Sequence, residues 1–97
     1  MDKQLAIRIL SGAGTGRTFR LGNSCFIGQA VHCEIQLQDP GIAPMQARID
    51  LRGSGYNIVD LSDGAGLKVN GFAVKSRKIQ EGDRISLAGV QIGRAHV

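Results

Sequence analysis

Short runs in which apolar and polar residues alternate, each ended by a turn signal, cover most of the chain. In the segments 34–37, 47–51 and 84–87 every second residue is apolar, which is the period of a strand with one buried face. No segment repeats its apolar residues at the helical period of about 3.6 residues. The pattern predicts about ten to eleven short strands, and therefore an all-β sandwich or barrel.

Glycine and small polar residues separate these runs. Asn70-Gly71 is the strongest hairpin signal, because a tight two-residue turn needs positive φ at both positions. Asp39-Pro40-Gly41 indicates another turn, since proline presets φ and glycine tolerates positive values. The chain holds 14 glycines without a period, which is typical of a protein with many turns and not of low-complexity sequence.

Length and composition indicate one globular domain. The 97 residues are 42% hydrophobic and 21% charged, enough for one core, and we expect a single domain over residues 1–97 that can belong to a longer protein. No signal peptide or membrane-spanning stretch is seen. We therefore expect a cytoplasmic location, no insertion of this segment into a membrane, and two free thiols at Cys25 and Cys33.

Catalytic, cofactor and metal chemistry lack the residues they need. The glycine-rich segment 12–18 has the wrong spacing for a phosphate loop, and a plain turn explains it. His32 and Cys33 are neighbours on an extended chain, so their side chains point in opposite directions. The histidines and cysteines lack the paired short spacings of zinc sites. We expect no enzyme activity, no cofactor and no metal.

The net charge of +4 comes from basic residues spread along the chain, with one cluster at residues 75–78. Nucleic-acid readers add aromatic platforms or a recognition helix, whereas aromatic residues make up 4% of this chain. We expect no nucleic-acid partner, and a weak attraction to anions stays a minor alternative.

Six segments in order resemble landmarks of the forkhead-associated (FHA) domain. They are residues 19–21, Ile27-Gly28, and the segments 33–37, 42–49, 60–71 and 82–89. The resemblance covers most of the chain. It implies an FHA-like β-sandwich, whose loops at one end bind phosphothreonine peptides in the family.

The resemblance also implies that the phosphopeptide site is degenerate. The family's phosphate-binding Arg and Ser, its loop-bracing His, a phosphate-contacting Ser or Thr, and a peptide-holding Asn fall respectively at Gln29, Ala43, Gln46, Gly64 and Ala65. The family residues that shape strands and loops remain, at Gly28, Asp60, Gly66, Asn70, Gly71, Gly82 and Asp83. A phosphate carries about −1.5 to −2 charges near pH 7 and needs charged donors, which these substitutions do not supply.

The expected function is a scaffold that binds protein without phosphothreonine. Degenerate FHA domains similar to this one, with a segment like 39–44, are cytoplasmic domains of the inner-membrane ring protein of bacterial type III secretion systems. That setting leaves room for oligomeric assembly through the parent protein. The alternative is a phosphothreonine reader with a non-standard site that uses Arg48, Lys68 or Arg94. Candidate partner contacts at the loop end are Gln29, Pro44, Met45, Gln46 and Leu67, although Met45 and Leu67 can equally close the core.

Overall fold

A computed structural model describes residues 6–53, 55–62 and 66–95, which form eleven strands. In chain order the strands are β1 (Ala6–Ile9), β2 (Thr18–Arg20), β3 (Ser24–Gly28), β4 (Ile35–Gln36), β5 (Ala47–Arg52), β6 (Gly55–Asp60), β7 (Leu67–Val69), β8 (Phe72–Ala73), β9 (Ser76–Ile79), β10 (Arg84–Leu87) and β11 (Val90–Ala95). The predicted all-β fold is confirmed. Within those ranges no helix is long and apolar enough to span a membrane.

The strands form two sheets that face each other. The six-stranded sheet has the order β2-β1-β11-β10-β7-β8, and the five-stranded sheet has the order β4-β3-β5-β6-β9. Neighbouring strands are antiparallel except for β3 and β4, which run parallel. The first and last strands lie side by side, with Ile9 opposite Ile92, so the sheet depends on a pairing between the two ends of the sequence.

Branched aliphatic side chains from both sheets fill the space between them. Those with no exposed surface are Ile7, Ile27, Ile35, Ile49, Ile58, Val69, Ile85, Leu87 and Ile92. They lie at the alternate positions that the sequence pattern assigns to the core. Each such burial stabilises the fold by roughly 1.5–3 kcal/mol relative to an exposed side chain. Tyr56 also lies in the core and donates its hydroxyl to Gly22 O at 3.2 Å, which satisfies its polar tip.

The antiparallel order gathers six connections at one end of the sandwich. The end of β3, the start of β5 and the end of β6 lie together there. The β1–β2 turn joins them through Ala13 N, which donates to Asp39 Oδ2 in the β4–β5 loop at 2.9 Å. The β10–β11 turn does so through Ala88 N, which donates to Gly66 O at 3.2 Å. The β8–β9 connection lies there too, since Asp60 N donates to Lys75 O at 2.8 Å. We call the segments 10–17, 29–34, 37–46, 61–62, 66, 74–75 and 88–89, as far as the structure describes them, the loop end.

At the opposite end, Asn70 and Asp83 connect two turns. Asn70 and Gly71 both have positive φ, 54° and 86°, as the hairpin signal predicts. The side chain of Asn70 donates to Asp83 Oδ1 at 3.0 Å and accepts from Arg84 N at 2.9 Å. Asp83 Oδ2 accepts from Gln80 N at 2.7 Å. These bonds hold the β7–β8 and β9–β10 turns together.

We expect Gly28→Ala to lower the free energy of unfolding by about 1–3 kcal/mol, because it forces atoms into a packed site. A Cβ at Gly28 would overlap the carbonyl oxygen of Pro44 and lie 3.0 Å from Ala43 O. Urea denaturation measures the change. Gly22→Ala is the matched control, since no heavy atom lies within 4 Å of its added Cβ. Equal decreases in the free energy of unfolding of the two variants would contradict the close packing at Gly28.

We expect the contribution of Asp83 to stability to disappear in acid. Partial burial alone raises the pKa of Asp83, but the bonds from Gln80 and Asn70, with the charges of Arg77 and Arg94, outweigh it and lower the pKa. The ionised carboxylate therefore stabilises the fold at neutral pH, and this is lost as pH falls through the lowered pKa. Denaturation of wild type and Asp83→Asn should differ at neutral pH and converge well below about pH 3.9. A difference in stability between the two proteins that stays constant down to acidic pH would contradict the assignment of this contribution to the ionised carboxylate of Asp83.

Candidate functional site

Main-chain hydrogen bonds hold the β3–β4 loop against the β4–β5 loop. Gln29 N donates to Ala43 O at 3.0 Å, and Ala30 N donates to Pro44 O at 3.2 Å. Beneath them, the missing side chain of Gly28 leaves the space that the Pro44 carbonyl occupies. The two loops therefore form one continuous surface whose shape is set by backbone contacts.

Gln46 lies beneath this surface and braces it. Its side chain is 1% exposed, and Oε1 accepts from Ala43 N at 2.8 Å. Its main chain donates to Ile27 O at 2.7 Å and accepts from Leu61 N at 3.1 Å. Nε2 is buried and has no partner in the described part of the chain. Gln46 thus supports three segments from inside, which corrects the expectation that it contacts a partner.

Gln29 is exposed, but its side chain is engaged within the loops. Nε2 donates to Asp39 O at 3.0 Å, while the Gln29 carbonyl accepts from Gln36 Nε2 at 2.9 Å. An amide in these bonds is neutral, so it adds no positive charge where the resemblance places the phosphate-binding Arg. The position keeps a structural bond and presents no cation.

The glycine-rich β1–β2 turn closes on a carboxylate of the same chain. Asp39 Oδ2 accepts from Ala13 N at 2.9 Å. Gly12 has φ of +93°, and a Cβ there would overlap the Asp39 side chain. Thr15 Oγ1 donates to Gly12 O at 2.6 Å. The amide of Ala13 is thus directed at an internal acid, and the amides of Thr15, Gly16 and Arg17 donate to nearby main-chain carbonyls, as in a plain structural turn.

The β3–β4 and β4–β5 loops carry negative charge. Residues 29–46 contain Glu34 and Asp39 but no Lys or Arg, and the cations of the loop end, Arg17 and Lys75, lie in other connections. Glu34 accepts from Phe26 N at 2.7 Å. A bound phosphate would meet like charges, which costs electrostatic energy where the site should supply it.

The cations considered as substitutes lie elsewhere or share their site with an acid. Arg48 pairs with Asp50 at 2.8 Å on the outer face of the five-stranded sheet. Arg94 lies near Asp83 at the opposite end, where its charge helps to lower the pKa of that carboxyl. Lys68 is exposed on β7. None of the three arginine or lysine side chains lies in the β3–β4 or β4–β5 loop.

A cavity of about 300 Å³ lies beside the loop end, where the edge strands β8 and β9 separate. It is lined by Asp60, Gly66, Leu67, Lys68, Ala73, Val74 and Lys75. Asp60 Oδ1 accepts from Ser62 N at 2.9 Å and from Ser62 Oγ at 2.6 Å. The two lysines of this cavity therefore have a carboxylate as a neighbour.

The tip of the loop end is apolar. Val31 is 88% exposed, Pro44 is exposed and Met45 is half-buried. His32 Nε2 contacts Met45 Sδ at 3.2 Å, which joins the two loops. Leu67 is 2% exposed and packs in the core, which is the second of the two places that the sequence left open for it. Sequence reasoning missed Val31, although an apolar residue within a loop was a readable signal.

The two cysteines are free thiols of low reactivity. Burial, with the nearby charge of Glu34, raises the pKa of Cys25 to about 12. Burial also raises the pKa of Cys33, whose thiol contacts Pro44 O at 3.4 Å and Met45 Sδ at 3.8 Å. Both stay protonated at neutral pH, and a thiol is a poor nucleophile compared with a thiolate.

The structure describes some of the remaining predicted positions and not others. Gly64 and Ala65 lie outside the described residues. Gly66 has φ of +117°, and its added Cβ would lie 3.2 Å from Ala88 N. Gly82 has φ of +89° in the β9–β10 turn. These two glycines adopt positive φ values, at which a residue with a side chain would be strained.

Comparison with known proteins gives one family and one fold. The family model for the cytoplasmic domain of the inner-membrane component of the type III secretion system, Yop-YscD, matches residues 8–93. An FHA domain described in a study of phosphothreonine-dependent FHA interactions is 27% identical, with a TM-score of 0.85, over 98% of this chain and 99% of that one. A search of curated proteins finds no match.

Two further solved structures extend the likeness. The FHA domain of FhaA, complexed with the intracellular domain of Rv3910, is 26% identical with a TM-score of 0.83, over 94% of this chain and 99% of that one. The cytoplasmic domain of the sorting platform protein PscD from P. aeruginosa is 20% identical with a TM-score of 0.84, over 97% and 81%. The last likeness concerns the fold alone.

We expect Gln46→Leu to loosen the β4–β5 loop, because Ala43 N loses its acceptor. An unsatisfied buried donor costs about 1–3 kcal/mol, so exchange of the Ala43 amide with solvent should accelerate about tenfold or more. Hydrogen exchange followed by NMR measures this. Gln38→Leu, at an exposed position in the same loop, should leave the Ala43 amide unchanged. Equal rates of exchange of the Ala43 amide in both variants would show that the side chain of Gln46 does not support this loop.

Proposed function

Because this chain belongs to the family of cytoplasmic domains of the type III secretion inner-membrane component, we propose that it is a non-catalytic scaffold domain of a secretion apparatus. Its FHA β-sandwich presents the loop end to a folded protein partner. Recognition there does not depend on phosphothreonine.

The observation that carries this proposal is the charge of the β3–β4 and β4–β5 loops. Residues 29–46 hold two acidic residues and no Lys or Arg. Charge-assisted hydrogen bonds contribute about 1.5–3 kcal/mol each, and a phosphate site is built from several of them. Gln29 and Ala43 supply no such bond, and the side chain of Gln29 is committed to Asp39 O.

The apolar tip offers a different source of affinity. Val31 is 88% exposed, and Pro44 and Met45 lie on the facing loop. Apolar side chains on a rigid loop surface are suited to burial against a complementary protein surface. The FhaA domain, which has the same fold, was solved in complex with a domain of another protein, so a protein-binding role fits a related structure.

The alternative, a phosphothreonine reader with a different site, is supported by the FHA relative studied for phosphothreonine-dependent interactions. Such a site would use Lys68 and Lys75, which line the same cavity. Asp60 lines it as well, and its carboxylate opposes a phosphate. Catalysis has less support, because both thiols are protonated at neutral pH.

We expect Val31→Asp in the full-length protein to weaken partner binding by about tenfold or more, since burying such a side chain contributes roughly 1.5–3 kcal/mol. Co-purification of secretion components and export of substrates in a complemented deletion strain are the readouts. Phe72→Asp is the matched control, because Phe72 is also apolar and 69% exposed but follows the turn at the opposite end. Both variants should unfold at the wild-type temperature. Normal assembly with Val31→Asp would contradict the proposal.

A further inference from the structure

The outer face of the six-stranded sheet carries cations in a fixed array. Ile7 and Ile9 point into the core, so strand alternation directs Arg8 outward, and the same alternation directs Arg84 outward. Gly93 pairs with both arginines, one on each neighbouring strand. The Arg8 and Arg84 backbones are therefore two strand spacings apart, roughly 10 Å.

Two more cations share this face. Arg20 pairs with Ala6 on one side of the sheet, and Lys68 pairs with Ser86 on the other. The outward positions between them carry small or neutral residues, namely Ala6, Thr18, Ser86, Gln91 and Gly93. No acidic residue occupies an outward position on the described strands of this sheet. We call Arg8, Arg20, Lys68 and Arg84 the basic face.

Neutral neighbours orient two of the guanidinium groups without cancelling their charge. Arg8 Nε donates to Thr18 Oγ1 at 3.3 Å, and Arg84 Nη1 donates to Gln91 Oε1 at 3.4 Å. On the five-stranded sheet, by contrast, Arg48 pairs with an acidic residue, Asp50, at 2.8 Å. The remaining N–H groups of Arg8 and Arg84 stay available for a carboxylate, which a guanidinium binds in a two-point geometry.

An apolar side chain lies among these cations. Leu10 is 41% exposed, and its Cδ1 is 3.2 Å from the Cβ position that Gly93 lacks. The missing side chain of Gly93 thus lets Leu10 lie over β11, close to Arg8 and Arg84. An apolar contact beside arginines is the composition of protein interface cores.

We propose that the basic face is a second docking surface, which binds an acidic patch on a folded protein. Oriented arginines beside a single leucine suit defined carboxylate partners. A membrane-binding surface buries a broad apolar face of Trp, Phe or Leu beside its Lys and Arg residues, whereas this face offers Leu10 alone, and nucleic-acid sites add stacking platforms. The four cations of the basic face lie on strands of the six-stranded sheet, whereas Val31, Pro44 and Met45 lie in loops that connect strands of the five-stranded sheet, so one molecule can bind partners at both places together.

The test is an NMR titration of the isotope-labelled 97-residue chain with poly-L-glutamate at low ionic strength. The largest shifts should fall on Arg8, Leu10 and Arg84. The double variant R8E/R84E should weaken binding about tenfold or more, and the neutral pair R8Q/R84Q should weaken it less, because reversal adds repulsion to the loss of attraction. If the charge reversal disturbs folding, the weaker binding expected for R8Q/R84Q still tests the proposal.

The matched control is R52E/K78E, which makes the same change in charge on the outer face of the five-stranded sheet. It should leave poly-L-glutamate binding within about twofold, since these exposed residues lie on β5 and β9 of the other sheet. Equal losses in the two reversal variants, or shifts centred on 75–78, would overturn the proposal. Binding of phosphatidylglycerol vesicles through Arg8 and Arg84, without binding of poly-L-glutamate, would also overturn it and assign the face to a membrane.

Discussion

The close approach of the β4–β5 loop to Gly28 is the constraint on which the loop end depends. The carbonyl of Pro44 occupies the space of the missing side chain, and Gln46 supports the same loop from below through Ala43 N. Neither contact involves a charge. The fold can therefore keep the shape of its loops while the residues on their outer surface change, which separates the stability of the loop end from its binding chemistry.

That separation would explain how an FHA sandwich can serve as a binding module without a phosphate site, as we propose for this chain. Where a phosphate would need cations, the chain places the amide of Gln29 and the acids Glu34 and Asp39. Asp39 also takes up the Ala13 amide of the glycine-rich turn, so a potential anion-binding turn is used for structure. The net positive charge of the protein lies on other surfaces, notably the basic face, and the two surfaces suit partners of different character.

Much of the fold followed from local pattern, because alternation assigns a face to each residue of a short strand. The Asn70-Gly71 turn followed from the positive φ that both residues tolerate. Other features depend on contacts between distant segments. Leu67 is buried and Gln46 supports the loops from inside because sheets and loops close over them. The sequence left both a core and a surface place open for Leu67, and for Gln46 it offered both a loop-bracing position and a partner contact. The basic face exists only because β11 pairs between β1 and β10, which places Arg8 beside Arg84 across most of the chain length.

The central claim is that the loop end does not read phosphate, and one titration tests it most directly. Backbone amide shifts of isotope-labelled protein would be recorded with a degenerate phosphothreonine peptide pool and with its unphosphorylated twin. The account predicts that the phosphorylated pool produces no additional shift at Gln29, Ala43 or Lys68 at millimolar peptide. Shifts at these amides with the phosphorylated pool alone would contradict it and identify a rebuilt phosphate site.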